Sequence, residues 1–204
     1  MDALVIVAHP DDEVIWCGGL LLRRPRWRWL ILSLCRAGDP DRAPRFGRVC
    51  GRLGVEGIME DLDDGNPLAE LDGPRDIAPL IRRLAAGRRW DLCLTHGANG
   101  EYGHPRHRQV HAEVVRLVRR GELACRRLWT FAVQCRSDGQ CTPLETANRR
   151  LRLSAQELAA KRRIVRELYG FAEDSFEVRA CSSPESFATA AGVAAGRSGK
   201  PLLR

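Results

Sequence analysis

The sequence predicts an α/β fold: a single Rossmann-like domain with a mostly parallel sheet flanked by helices on both faces. Three observations predict it. Apolar runs of strand length alternate with helical patterns along the chain. Those runs ("LVIV", "WLILSLC", "WDLCLTHG") are apolar at successive positions, as in strands covered on both sides. The chain has 204 residues, 44% of them hydrophobic, enough for one full core, and no repeat or linker divides it.

Residues 3–9 read as the first strand. Residues 13–24 read as a helix in which Gly18-Gly19 permits close packing. A second strand over 28–35 leads into the loop "RAGDPDRAP", then a short helix over 44–53 ended by Gly54. A third strand lies around 56–62, and "DDGNPLAELDG" is loop by its Gly, Pro, Asn and Asp content. A helix over 74–86, a fourth strand over 90–97, a glycine-rich loop to Pro105, a helix over 106–120 and a fifth strand over 126–133 follow. The last helix spans 154–169, with Leu158, Ile164, Val165 and Leu168 on its apolar face. The domain is placed at 1–185, and the small, polar stretch 186–204 is expected to be a loosely held tail.

Composition narrows the function classes. No run approaches the ~18 apolar residues of a membrane span. No basic leader precedes the first strand, which predicts a cytoplasmic enzyme. The net charge of +7 comes almost wholly from arginine, Lys161 and Lys200 being the only lysines. The arginines are interspersed with acids and aromatics are sparse, so no nucleic-acid partner is expected. A basic surface would instead favour an anionic substrate. The eight cysteines form no C-x-x-C pair, which argues against a zinc ribbon and predicts reduced thiols in the core.

In a doubly wound sheet, ligands bind beyond the carboxyl ends of the strands where strand order reverses, between strands one and four in the common order. Strand one ends in "AHPDDE" and strand four in "THGANGEYGHPRH", so two histidine-bearing stretches would face each other there. A dinucleotide is excluded: the turn lacks G-x-G-x-x-G, and acids at the helix N-terminus would repel a pyrophosphate. Asp11, Asp12 and Glu13 are three acids in a row, unfavourable unless a cation or water lies among them. A mixed set of histidines (His9, His96, His104, His107, His111) and carboxylates suits Zn2+, with Fe2+ or another divalent ion also compatible. Adjacent Asp11 and Asp12 cannot both face one ion well, so one is expected to bind it and the other to act on water. Helix capping accounts for Glu13 but not for His9 or the distant H-P-x-H.

"AHPDDE" with "GG" five residues on, and "GEYGHPRH" after strand four, resemble the PIG-L/LmbE-like zinc-dependent N-acetylglucosaminyl deacetylases over most of the chain. The "RFGRVCGRLGV" and "KRRIVRELY" helices fit more weakly. The resemblance implies removal of an N-acetyl group from a GlcNAc-type conjugate, a small-molecule or lipid-linked amino sugar. It implies His9, Asp12 and His107 as zinc ligands, Asp11 as general base, and His104 as the group that stabilises the oxyanion, if cationic, or protonates the leaving amine. Arg106 departs from the acid that many relatives carry between the two histidines, and so is a candidate either for substrate contact or for altering the setting of His104, with the ligand set intact. Glu101 and Tyr102 either contact sugar hydroxyls or shape the loop. Arg45 and Asn66 are weaker substrate-binding candidates. His111 is expected to be solvated or core-facing, His96 to be structural or to support a ligand, and Trp16 and Trp129 to be core. An amidase acting on a non-sugar or thiol-conjugate amide, and a non-catalytic basic binding protein with a vestigial metal site, are the competing readings.

Overall fold

The computed structural model describes residues 1–66, 68–85 and 87–190. The chain runs β1 (Asp2–Val7), α1 (Asp12–Arg23), β2 (Arg28–Ser33), α2 (Arg42–Leu53) and β3 (Glu56–Met59). A π-helical turn (Gly73–Ile77) enters α3 (Ala78–Ala85), followed by β4 (Leu92–Thr95), α4 (Pro105–Arg119) and β5 (Leu128–Phe131). A hairpin of β6 (Val133–Cys135) and β7 (Cys141–Pro143) precedes β8 (Arg149–Leu151). The last elements are α5 (Ala155–Arg163), which continues as a π-helical turn (Ile164–Leu168), α6 (Phe176–Ala180) and β9 (Glu185–Thr189).

The main sheet has the order β3-β2-β1-β4-β5-β9-β8. The first five strands are parallel, and strand order reverses between β1 and β4, which pair directly. This places "AHPDDE" and "THGANGEYGHPRH" at one sheet edge, as the sequence predicts. β1 is buried on both faces because alternate residues feed two cores. Val5 and Val7 pack with Leu20, Phe46 and Val165 on one face, and Leu4 and Ile6 with Ile81, Val110 and Leu117 on the other. Among the described residues, no helix is long and apolar enough to cross a membrane.

The carboxyl-terminal end corrects the sequence reading. Residues 186–189, assigned to a loose tail, belong to β9, which pairs antiparallel with β5 and β8. Phe187 is fully buried against Trp129 and Phe131. Without β9, the apolar edge of β5 would lie open. The rest of that tail, 191–204, lies outside the described residues. The thiols also need one correction: hairpin register sets Cys135 opposite Cys141, and the two form a disulfide. Cys17, Cys35, Cys50, Cys93 and Cys181 are free and buried, as expected of small core residues.

β9 also controls α1. That helix is broken at Cys17 (φ −140°, ψ 18°), so its second half begins with backbone N–H groups that lack helical partners. The buried Glu185 carboxylate accepts from Gly19 N (2.7 Å) and Leu20 N (2.9 Å), and from Lys161 Nζ at 2.7 Å. A side chain at Gly19 would put Cβ 2.4 Å from Leu153 Cδ2 and 3.1 Å from that carboxylate, so any larger residue must displace the Leu153 side chain. Glu185→Ala should strand the buried Lys161 ammonium and cost about 3–5 kcal/mol in urea denaturation. Glu185→Gln, which keeps an acceptor, should cost less, and equal losses would show that the ionic contact is not what matters.

Candidate metal and catalytic site

The site is assembled from loops at the carboxyl ends of β1, β2, β3 and β4, with one wall from α6. His9, Pro10, Asp11, Asp12, Ile15 and Trp16 come from the β1–α1 junction. Arg36, Arg42 and Asp64 come from the neighbouring strands, Tyr102 and His104 from the loop after β4, and Phe176 and Glu177 from α6. Together they line a cleft of about 320 Å³, in the range of small-molecule sites.

Each loop has a local reason for its shape. Asp11 sits at φ 128°, an uncommon conformation for a side-chain-bearing residue, held by its own N–H donating to Glu13 Oε2 (3.0 Å). Tyr169 O–H donates to the other oxygen of Glu13 at 2.5 Å. Glu13 is therefore fully buried and satisfied, and its task is to hold the Asp11 backbone. After β4, Gly100 takes φ +67° where a Cβ would lie 2.7 Å from the His104 carbonyl oxygen. Glu101 follows at φ 56°, and its carbonyl accepts from Cys135 N (2.8 Å) of the disulfide-closed hairpin. Pro105 opens α4, which points His104 and His107 back toward β1.

Three donor atoms converge. His9 Nδ1 lies 3.2 Å from His107 Nε2, and both lie 3.4 Å from Asp12 Oδ2. The hydrogen bonds behind them fix the tautomers. His107 Nδ1–H donates to Glu101 Oε2 (2.6 Å) and His9 Nε2–H to Asp64 Oδ1 (3.2 Å). That directs two imidazole lone pairs and one carboxylate oxygen at a single point. Three such atoms repel one another unless a positive charge lies among them. A tetrahedral zinc ion with bonds of about 2.0–2.1 Å holds its ligands roughly 3.3 Å apart, close to the separations found. Carboxylates behind ligating histidines are the usual support of such sites. The demand for positive charge also shows in His9 itself. Burial works against a charged His9, yet Asp12 and Asp64 raise its pKa to about 10.

The remaining titratable groups divide. Asp12 is held well below the usual carboxylate range: burial opposes this, but the surrounding imidazoles outweigh it. Its second oxygen accepts from Trp16 Nε1 (2.9 Å). Asp11 is pushed well above that range by burial and by the Asp12 charge, with His9 and, at 3.3 Å, Arg42 opposing. Burial and the His107 and His9 rings lower His104 to about 4, so its imidazole is neutral in the free site. His104 Nδ1 is buried with no hydrogen-bond partner among the described residues. Glu101 is held down at about 2 by His96 and His107 despite its burial.

Several candidates take a different place from the one expected. Glu101 is fully buried and does not face the cleft; it supports His107 and His96. Arg106 is also fully buried, and its guanidinium reaches Gln109 and the carbonyls of Ala69 and Asn66. Arg45 pairs with Asp41 (2.7 Å) on α2, outside the cleft lining. The Asn66 side chain accepts from Leu68 N. Tyr102 does line the cleft, partly exposed, its ring against Phe176 (4.8 Å) and His104 (5.6 Å). Ala8 N–H donates to His96 Nε2 (2.9 Å), which uses the lone pair a metal would need, so His96 is a support. His111, half-buried, donates from Nδ1 to the His96 carbonyl (2.7 Å). Trp16, expected as core, is a cleft wall as well. Sequence reasoning missed Asp64, Arg36, Arg42, Phe176 and Glu177. The first three follow β2 and β3 directly, so the carboxyl-edge rule applied to those strands would have found them. No such rule reaches α6.

The first 118 residues carry most of this machinery, and residues 4–118, more than half the chain, match the PIG-L family model, described as GlcNAc-PI de-N-acetylase. The chain belongs to the PIG-L family. It is 27% identical to 1D-myo-inositol 2-acetamido-2-deoxy-alpha-D-glucopyranoside deacetylase of Rhodococcus erythropolis, over 53% of this chain and 50% of that protein. The chain spans about half the length of the curated relatives it matches. Among solved structures it is similar to N,N'-diacetylchitobiose deacetylase from Pyrococcus horikoshii, with TM-score 0.72 and 14% identity, covering 94% of this chain and 84% of that one. It is also similar to a conserved protein from Thermus thermophilus, with TM-score 0.68 and 20% identity, covering 98% of this chain and 100% of that one. At these identities the two structures establish a shared fold, and the PIG-L motifs rest on the family match.

Burial raises Glu13 to about 7, the Tyr169 and Asp11 hydrogen bonds opposing. An acid whose folded pKa exceeds its ordinary value of 4.5 adds stability that is whole below pH 4.5 and is lost as pH rises through about 7. Glu13→Gln cannot titrate, so chelator-treated Glu13→Gln should gain stability relative to wild type as the pH rises from about 5 to about 8. A flat difference in urea midpoints would place this ionisation elsewhere.

Proposed function

We propose that this chain is a zinc-dependent hydrolase that removes the N-acetyl group from an amino-sugar conjugate of the GlcNAc type. The observation that carries the reading is the convergence of His9 Nδ1, Asp12 Oδ2 and His107 Nε2, with Glu101 and Asp64 fixing both imidazole tautomers. These residues would hold the zinc ion, which when bound supplies Lewis-acid polarisation of the amide carbonyl and of water.

Asp11 borders the cleft beside this triangle, and its raised pKa makes it a stronger base than an ordinary carboxylate. It takes a proton from the attacking water as the water oxygen bonds to the acetyl carbon. The same carboxyl then returns that proton to the sugar nitrogen as the C–N bond breaks, leaving a free amine and acetic acid, which loses the second water proton to solvent to become acetate. His104 is neutral and serves as an N–H hydrogen-bond donor to the carbonyl oxygen as negative charge develops there. This replaces the cationic role considered from sequence. The strained Asp11 backbone and its Glu13 anchor keep the base in position.

The cleft wall suits a sugar. Trp16, Tyr102 and Phe176 offer ring faces for the apolar side of a pyranose, and Arg36, Arg42, Asp64 and Glu177 offer partners for hydroxyls. Its four carboxylates outnumber its two guanidiniums, and Arg36 and Arg42 already pair with Asp64 and Asp11. The cleft therefore gives no support to an anionic substrate preference drawn from net charge alone.

Acetate release from N-acetylglucosamine conjugates should be abolished by a chelator and restored by zinc. Activity untouched by chelation would refute the metal mechanism, and release only from non-sugar amides would favour the wider amidase reading. Asp12→Ala should lose bound zinc and activity together. Asp11→Asn should keep zinc while its rate falls about 100- to 10,000-fold. Equal zinc loss in the two variants would show that ligand and base are wrongly assigned. His104→Ala should keep zinc and lower kcat more than it raises KM, because its contact forms as the oxyanion develops.

A further inference from the structure

We infer that Arg106 is a positioning residue of the metal site, tying the loop that carries Asp64 to α4 and so holding His9 in its ligating orientation. The inference rests on the metal-site reading above and adds to it a residue that lies outside the donor triangle and the cleft.

Arg106 lies between His104 and His107 on the first turn of α4, and its side chain is fully buried. A buried guanidinium is costly unless its donors are used. Arg106 Nη1 donates to Gln109 Oε1 (2.5 Å) and, at 3.5 Å, to the carbonyl of Ala69. Nη2 reaches the carbonyl of Asn66 at 3.4 Å. Gln109, one turn on, donates to the same Ala69 carbonyl (3.2 Å). Two neighbouring side chains of α4 therefore grip the loop after β3 through its backbone. Arg106 Nε stands 4.0 Å from Asp64 Oδ1, the oxygen that accepts from His9 Nε2–H, and has no hydrogen-bond partner among the described residues.

The geometry makes a relay. Around Asp64 the chain is irregular backbone, with neither helix nor strand to fix it. On its solvent side Asp64 is held by Arg36 (2.8 Å), and on its inner side the buried Arg106 supplies both the loop attachment and a second positive charge. An acid at position 106 could neither donate to the Asn66 and Ala69 carbonyls nor lie beside Asp64 without repulsion. Lysine would keep the charge but lose the planar fork that reaches two carbonyls and Gln109 at once. This chain thus supports His107 directly through Glu101 and His9 directly through Asp64, with Arg106 one step behind Asp64.

The test is a double-mutant cycle in the full chain, with zinc affinity measured by competition against a chromophoric chelator. Arg106→Met and Asp64→Asn should each weaken zinc binding about 10- to 100-fold, the range for groups behind a ligand. The double variant should be about as weak as Asp64→Asn alone, because Arg106 acts through Asp64. Wild-type affinity in Arg106→Met, or losses that multiply in the double variant, would overturn the inference. A second readout needs no metal: solvent exchange of the His9 Nε2–H proton, followed by NMR in the chelated protein, should be slow in wild type and speed up about tenfold or more in Arg106→Met. Unchanged exchange overturns the inference even if wild type binds no zinc, a result that would refute the metal-site reading separately. Should Arg106→Met fail to fold, Arg106→Lys decides. It should show several-fold weaker zinc binding with faster His9 exchange, and wild-type values for both would overturn the inference.

Discussion

The structure depends on burying carboxylates without leaving them bare. A carboxylate removed from water must recover its lost hydration through hydrogen bonds or opposite charge. Four of the buried acids are each met by at least two donors. Asp12 accepts from His9 N and Trp16 Nε1, and Glu13 from Asp11 N and Tyr169 O–H. Glu101 accepts from His96, His107 and Gly97 N, and Glu185 from Lys161, Gly19 N and Leu20 N. These contacts join β1 to α1, β4 to α4, β9 to α5, and the turn before Tyr169 to the head of α1. The apolar core gives the sheet its two layers, and the buried acids fix how the polar loops sit on it.

The site follows from the same accounting, with one position left unbalanced. Both ring nitrogens of His96 are used, by Ala8 N and Glu101, so that histidine is closed to other chemistry. His9 and His107 each spend one nitrogen on a supporting carboxylate and turn the other toward Asp12. The three atoms left facing one another are those that need a cation. Asp11 departs from the pattern of the other acids. Among the described residues its side chain gains a long contact with Arg42, and burial and the Asp12 charge push its pKa up. Asp11 is thus the under-solvated carboxyl beside the donor triangle, the position given to the base in the proposed reaction.

The hairpin and α6 add walls to this centre. The β6–β7 hairpin, closed by the Cys135–Cys141 disulfide, braces the backbone of Glu101, while Asn99 donates to the carbonyl of Val133. The short α6 presents Phe176 to Tyr102, adding aromatic surface to a cleft that Arg36 and Arg42 also line. The aromatic and charged residues of the cleft thus draw on distant parts of the chain.

The sequence by itself determined the sheet, the crevice and which two histidine-bearing motifs meet there. Buried parallel strands must be apolar on both faces, and the Rossmann-like order then forces the ends of β1 and β4 together, so "HPDD" and "HPRH" had to meet. Ligand support was not legible. Glu101 could equally contact substrate or shape the loop by sequence, because nothing local shows that φ 56° and a bond from Cys135 turn it inward. Asp64 stands in the run "DLDDG" with Asp61 and Asp63, and only packing against His9 distinguishes it. Arg106 read as a group that touches substrate or alters the setting of His104, yet α4 buries it on the loop after β3. β9 was also hidden: "ESFAT" is short, and only the open edge of β5 gives it a reason to be a strand. Local pattern decides which residues form strands and which carry chemistry. Long-range contact decides which carboxylate stands behind which histidine, because that depends on atoms brought together from positions as distant as residues 9 and 64.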